Sequence, residues 1–423
     1  MRPSITALSA ALLLPLVGCN QYEVFLASGQ VQESFNNQAE ILFVIDNSSS
    51  MVDETQALGL NFNAFIRGLT DPSAGGNLNG LKDAADNYIS YANRRGRFLD
   101  YQLAITTTDV EDSFGDLYAL PGNDRIVARG DDDVATTFTQ NLLCTTIEWP
   151  NDIPYDPEYE CGDPVGDQVS EQYLDCLCEG FAWDDVDAGS GNEEPLEAVF
   201  MAMCRASENP PDACFEDNQF TDTHVGSNDG LLRSDTSVIP VIVTDEGDTS
   251  RRLNTGDGEA EIYAEALEAF DTRLGFAVIG PRTDSCNGAQ ATTWGVDRFN
   301  YMIDRYGGAY FDIANEDADG NCQVADFAVA LEDLGSLLNS LLDVFPLAAV
   351  PNVDSIRVFV DGDEIEEAVE TTNEDGSVDV TDGWTYLPAQ NGIQFHGGAI
   401  PDYNADVGIY YLPLDGMPRT APF

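Results

Sequence analysis

The run Ile41-Leu42-Phe43-Val44-Ile45 passes without a break into Asp46-Asn47-Ser48-Ser49-Ser50-Met51. Five apolar residues, rich in β-branched types, predict a fully buried strand, and such a strand needs cover on both faces of its sheet. It ends in the spacing Asp-x-Ser-x-Ser, three small oxygen donors placed to hold a hard divalent cation. From Asp53 to Leu69 the residues Leu58, Phe62, Phe65 and Ile66 recur near helical spacing. Strand, oxygen-bearing loop and helix form the opening unit of an open α/β sheet, where ligands sit beyond the carboxyl ends of the strands. The competing reading is a Ser-rich turn with Asp46 or Ser50 as a helix N-cap. A mere cap predicts no second acidic loop after another buried strand.

Such a loop is present. Val238-Ile239-Pro240-Val241-Ile242-Val243-Thr244 is again short, apolar and β-branched, and it ends in Asp245-Glu246-Gly247-Asp248. Two buried strands that end in Asp at one sheet edge are far more specific than either alone. Together these motifs resemble the von Willebrand factor type A domain and its metal-ion-dependent adhesion site. The resemblance implies metal coordination by Asp46, Ser48 and Ser50 from the first loop and by Asp245 from the later one. It also implies a hydroxyl ligand from a middle loop. There, Gly189-Ser190-Gly191-Asn192-Glu193-Glu194-Pro195-Leu196 places Ser190 where the family carries Thr. Two readings of this loop stand: Ser190 as ligand, or a flexible turn with Glu194 or a water in that position. The implied ion is magnesium, or calcium or manganese in its place, with one coordination position open to a partner's carboxylate.

The remaining elements follow in order. Phe98–Thr107 reads as a strand, and Leu196, Val199, Phe200 and Met203 mark one face of a helix with Pro195 in its first turn. Glu259–Phe270 reads as a helix and Leu274–Gly280 as a buried strand. A helix from Phe299 closes at Gly307-Gly308, followed by a short strand at Ala309–Ile313 and a helix from Val324 to about Leu342. This alternation predicts an α/β fold with a doubly wound, mostly parallel sheet flanked by helices over residues 38–345. After Pro346 and Pro351 the pattern turns to β. Ile356, Val358 and Val360 alternate into an Asp361-Gly362 turn, and Trp384-Tyr386, Ile393-Phe395 and Val407-Ile409-Tyr411 alternate likewise. Residues 353–423 thus predict a small C-terminal all-β sandwich.

The N-terminus speaks to location. Arg2 precedes an apolar stretch from Ala7 to Val17, too short to span a bilayer, which ends in Leu16-Val17-Gly18-Cys19. This resembles a bacterial lipoprotein signal over residues 1–18, with lipid attachment at Cys19, a polar tether over 19–37, and a bacterial envelope location at the outer membrane or cell surface. The alternative is an ordinary secretory signal with an incidental Cys, or an uncleaved anchor. Of 9 Cys, eight remain after Cys19, an even number that reads as a disulfide framework in an exported chain. Short loops pair Cys204 with Cys214 and Cys286 with Cys322, and the four between Cys144 and Cys178 staple an insertion at about 110–187. Zinc at Cys176-Leu177-Cys178 is disfavoured, since His224 and His396 are the only His.

Asp and Glu number 75 against 18 Lys and Arg, a formal net charge of −57. That charge opposes binding to nucleic acid and, through the protein surface, to anionic lipid. It fits a chain adapted to a salty medium, or one that binds several calcium ions. The acidic runs Asn315–Asn321 and Asp131–Asp133 lack a complete calcium loop and read as solvated turns. The insertion is a candidate for partner selectivity, or else a stapled decoration.

No Gly-x-Ser-x-Gly elbow, His-Glu-x-x-His or phosphate loop occurs, and no catalytic residue is assigned. His396 is expected on the surface. The expected function is that of a lipid-anchored surface protein binding a protein or glycan partner, through a carboxylate, at the held metal. The other reading is a non-adhesive envelope scaffold or accessory subunit in which the metal is purely structural.

Overall fold

The structure is a computed structural model. It describes residues 30–32, 38–70, 100–150, 152–155, 161, 169–186, 189, 191–215, 220–234, 236–253, 260–270, 272–282, 293–316, 322–342, 344–347, 349–372, 378–388, 391–401, 405 and 407–414. Cys19, the signal segment, Ser190 and Cys286 lie outside these residues. The chain divides into two units, residues 36–344 with 400–404, and residues 1–35 with 345–399 and 405–423.

Strand β1 (Gln30–Gln32) belongs to the second unit. The first begins with β2 (Gln38–Ile45), followed by a 3-10 turn at Ser49–Met51 and helix α1 (Val52–Thr70). Next come β3 (Asp100–Thr107), α2 (Val110–Ser113), β4 (Ile126–Ala128), α3 (Val134–Thr145), α4 (Glu171–Leu177) and α5 (Pro195–Ala206). Then follow β5 (Ser237–Val243), α6 (Ala260–Glu268), β6 (Arg273–Leu274), β7 (Phe276–Gly280), α7 (Thr293–Tyr306), β8 (Gly308–Asp312), β9 (Ala314–Glu316), β10 (Cys322–Val324) and α8 (Phe327–Leu342). The main sheet has the order β4-β3-β2-β5-β7-β8, with β6 paired to β5. All its pairings are parallel except β3 with β4. The expected α/β class is what the chain adopts.

Both faces of the sheet are covered, as the unbroken apolar run requires. Successive side chains point to opposite faces. Ile41, Phe43 and Ile45 join one core with Leu58, Phe62 and Phe65 of α1, Phe138 and Leu142 of α3, and Leu331 and Leu334 of α8. Leu42 and Val44 join the other, with Val199 and Met203 of α5, Leu267 of α6 and Phe299 of α7. Phe43 sits within an aromatic group. Its ring lies edge-on to those of Phe62, Phe65 and Phe138 at 5.6, 5.3 and 4.9 Å, a geometry worth ~0.5–1.5 kcal/mol per pair beyond area burial.

One predicted strand is split. Leu274–Gly280 becomes β6 and β7 with a break at Gly275, and the neighbouring strand supplies the reason. Gly275 donates to Val238 O at 3.1 Å, so the ladder expects the next donor two residues along β5, at position 240. That residue is Pro240, which has no N–H.

The insertion carries α2, α3, α4 and the edge strand β4. Disulfides Cys144–Cys178 and Cys161–Cys176 staple it, which removes Cys176 and Cys178 as metal ligands. Cys204–Cys214 pairs as the short loop predicts. Asp131 accepts from Ala128 N at 2.6 Å in an exposed turn. Asn315 and Glu316 lie in β9, and residues 317–321 of that acidic run are outside the described set.

The second unit holds β11 (Val344–Pro346), β12 (Arg357–Val360), β13 (Asp363–Ile365), β14 (Glu370–Thr372), β15 (Val378–Val380), β16 (Gly383–Leu387), β17 (Gly392–His396) and β18 (Val407–Tyr411). They form antiparallel sheets β1-β18-β12-β13, β11-β17-β16 and β14-β15. Asp361 and Gly362 take φ of 52° and 86°, the positive values that a two-residue hairpin of this kind demands. Val358, Ile409, Tyr411, Ile393 and Phe395 are buried. Two expectations shift here. Gln30–Gln32, within the stretch read as a tether, pairs antiparallel with Ile409–Tyr411. His396 is half-buried and shares a 2.7 Å hydrogen bond with Thr385 across β16 and β17.

Candidate metal centre

Asp46 follows the last residue of β2, and its N–H donates to Val243 O at 2.9 Å, continuing the pairing with β5. Its carboxyl is fully buried. Oδ1 accepts from Ser48 N at 2.9 Å, which folds the loop back as an Asx turn. Oδ2 accepts from Thr244 Oγ1 at 2.7 Å. The hydroxyls of Ser48 and Ser50 lie 3.0 Å apart, and Ser50 Oγ donates to Asp245 Oδ1 at 3.3 Å. Four of the five expected ligands, Asp46, Ser48, Ser50 and Asp245, are thus gathered at the carboxyl ends of β2 and β5. Adjacent oxygens around one octahedral ion lie ~2.9 Å apart for magnesium and ~3.4 Å for calcium, from their bond lengths. The observed spacings of 3.0 and 3.3 Å fall in that interval. Ser50 is exposed, so the group opens to solvent on its side.

Ser190 is outside the described residues, but its loop is held against the first. Gly189 N donates to Asn47 O at 2.9 Å. A Cβ on Gly189 would stand 2.3 Å from Asn47 Oδ1, so only glycine fits this approach. Beyond it, Glu193 O accepts from Thr249 N at 2.8 Å and from Thr249 Oγ1 at 2.6 Å, and Glu194 N donates to Thr108 O at 3.2 Å. These bonds turn the Glu193 side chain inward, where Oε2 accepts from Thr108 Oγ1 and the carboxyl lies beside that of Asp46. Glu194 has Arg251 as its neighbour instead, at 3.8 Å. The acid beside Asp46 is therefore Glu193, next in sequence to the Glu194 named in the alternative reading of this loop.

Asp248, three residues past Asp245, fixes α5 in place. Its Oδ1 accepts from Leu196 N at 3.1 Å, and Ser250 Oγ accepts from Glu197 N at 2.9 Å, so the β5 loop caps the first turn of α5. Arg298 of α7 completes the joint, with Nη1 2.6 Å from Asp248 Oδ2 and 2.7 Å from Ser250 O.

The electrostatics separate this centre from the rest of the unit. Elsewhere, buried acids have an arginine: Glu40 has Arg233 at 2.6 Å, Glu197 has Arg252 at 3.5 Å, and Asp248 has Arg298. Asp109 instead caps α2, accepting from Glu111 N and Asp112 N. Asp46, Glu54, Glu193 and Asp245 are all buried, and among the described residues no Arg or Lys pairs with any of them. Burial, and then the Asp46 charge, push Asp245 up to about 6 and Glu193 up to about 9. Burial is also the main cause that raises Asp46, and it lifts Glu54 to about 7. Glu193 Oε1, Glu54 Oε2 and Asn47 Oδ1 are buried and meet no donor. Among the described residues no three Asp, Glu, His or Cys side chains form a chelating group by themselves. Here hydroxyls intervene between carboxylates, and an all-oxygen donor set of this kind suits a hard divalent cation.

No protein-family model matches the chain, and no curated protein matches it. Among solved structures, a von Willebrand factor type A structure from Catenulispora acidiphila aligns with 91% of this chain and 65% of its own length, at 9% identity and a TM-score of 0.30. The centre described here stands on its own geometry.

Proposed function

We propose that this protein binds a partner through a divalent cation held by Asp46, Ser48, Ser50 and Asp245, with Ser190 as the hydroxyl of the middle loop. The observation that carries the reading is the set of four buried carboxyl groups that no arginine or lysine among the described residues accompanies. Buried like charges destabilise a fold unless a positive charge or protons sit among them. A bound divalent ion would supply that charge and, at an open position, accept an oxygen from a partner.

Contacts among the described residues support this reading. Thr244 and the Ser48 N–H each bond one Asp46 oxygen, which fixes the carboxyl's orientation. Ser50 links the two Asp-bearing loops. Asp248 and Arg298 anchor the loop after β5 to α5, and Gly189 seats the middle loop on Asn47.

The partner is a protein or glycan offering a carboxylate, and the setting is a bacterial envelope, with Cys19 as the lipid-bearing residue. No catalytic role is proposed. A pull-down from intact envelopes with and without chelator tests the reading. Release of a partner by chelator, while the protein stays folded, supports it. If chelator lowers only the melting temperature and releases nothing, the metal is structural and the protein is an envelope scaffold.

A further inference from the structure

Resting on the reading of Cys19 as the lipid-bearing residue, we infer that the second unit meets the membrane through an exposed aliphatic patch of Val350, Val353 and Leu414. The patch stands on a short ribbon. Asn352 N donates to Leu412 O at 2.7 Å, Leu414 N donates to Val350 O at 2.9 Å, and Pro351 pairs antiparallel with Pro413 between them. Val350 and Leu414 are therefore directly opposed, and their side chains share one face. Val353 opens the 3-10 turn that follows, and Ser355 Oγ of that turn accepts from Leu412 N at 2.8 Å. Val350, Val353 and Leu414 are 56%, 44% and 66% exposed. Seven large apolar side chains are exposed among the described residues, and three of them gather on this one ribbon. Single exposed apolar residues need no explanation, whereas a group of them marks a contact surface.

The direction of β1 says what covers it. Gln30 lies opposite Tyr411 in the antiparallel pair of β1 and β18. The N-terminal end of β1 is thus at the end of the sheet where β18 passes into Leu412–Leu414. Ten residues, 20–29, separate Gln30 from Cys19. That length of chain reaches about 40 Å at most. Lipid and patch therefore leave the unit from the same end. Charge selects among occupants. A second copy brings its own net charge of −57, which opposes close association. Residues 349–356 and 407–414 contain no Lys or Arg, and Asp354 beside Val353 is exposed. The next residue, Arg357, has Glu364 at 3.5 Å. Without free cations, such a surface gains nothing from anionic headgroups, so its contact is with the apolar boundary of a zwitterionic bilayer.

The test places a tryptophan in the patch. The full lipidated chain is reconstituted in phosphatidylcholine vesicles with and without brominated acyl chains, as wild type, Leu414→Trp and Val369→Trp. Val369 is 61% exposed in the same unit, just before β14 and outside the ribbon, and serves as the control. Subtracting the wild type leaves the emission of the added ring. Bromine is expected to quench Leu414→Trp about twofold or more and Val369→Trp little. Equal quenching at the two positions, or none at Leu414→Trp, overturns the inference. So does stronger quenching when phosphatidylglycerol is added to the vesicles. Sedimentation of the Cys19→Ala chain tests the other occupant: a dimer that Leu414→Asp dissolves assigns the patch to a second copy and overturns the membrane contact. Mass spectrometry of the wild type separates the two readings. Lipid on Cys19 without quenching at Leu414→Trp defeats the patch alone, and an unmodified Cys19 in the envelope-derived chain defeats both.

Discussion

Ser50 donates a hydrogen bond to Asp245 at 3.3 Å, closing a separation of 195 residues. The two sit at the carboxyl ends of neighbouring parallel strands, and their contact joins the loops that carry the paired aspartates. Without a cation, Asp245 adds a buried like charge to Asp46. Asp245→Asn should therefore leave the melting temperature in chelator unchanged or raise it. In the wild type, a divalent ion at ~100 times its Kd should add ~2.7 kcal/mol of stability, and in the variant far less. Melting curves with and without the ion check both.

Gly189→Ala forces a methyl to 2.3 Å from Asn47 Oδ1, so the middle loop must lift from the first. The change replaces no expected ligand but displaces the loop that carries Ser190. It should weaken divalent-ion affinity about tenfold or more, the size typical of lost outer support, and leave the sheet intact. Titration calorimetry with circular dichroism separates the two effects.

Arg298→Met strands the fully buried Asp248 without its ion pair. Breaking a buried pair from one side costs about 3–5 kcal/mol. Denaturant unfolding should show that loss, and Arg298→Met combined with Asp248→Asn should recover part of it.

Glu197 gives a pH signature away from the proposed ligands. Burial pushes it up to about 8, against the opposing pull of the Tyr263 hydroxyl and of Arg252, 3.5 Å away. A buried acid with a raised folded value binds its proton more tightly folded than unfolded. Stability from that proton is present below the unfolded value near 4.5 and is lost as pH climbs towards about 8. Between those values the slope is at most about 1.4 kcal/mol per pH unit. Glu197→Gln should match the wild type near the acid end and exceed it near pH 8. The difference between their melting temperatures across that range reads the effect and cancels the titration of the many surface acids.

Much of this was legible from the chain. Apolar runs that end in Asp46 and Asp245 announce buried strands and an oxygen edge, because periodicity and burial are local signals. Asp361-Gly362 announces its hairpin, since both residues accept the positive φ that the turn requires. Glu193 was not legible. It sits beside Glu194 in a turn without periodicity, and its inward direction is set by Thr108 and Thr249, remote in sequence. The arginine partners of Glu40, Glu197 and Asp248 are likewise fixed by tertiary packing. The break at Gly275 depends on Pro240 in another strand, and β1 is a polar edge strand with no apolar pattern to mark it.

Oxygens from separate loops are proposed to hold one divalent ion. Calorimetric titration of the full chain with a divalent cation at physiological salt, beside Asp46→Ala/Asp245→Ala, decides this. One specific ion per wild-type chain is expected and none in the double variant, with the same circular dichroism for both. A wild type that takes up no specific ion, or a double variant that binds as tightly, would contradict it.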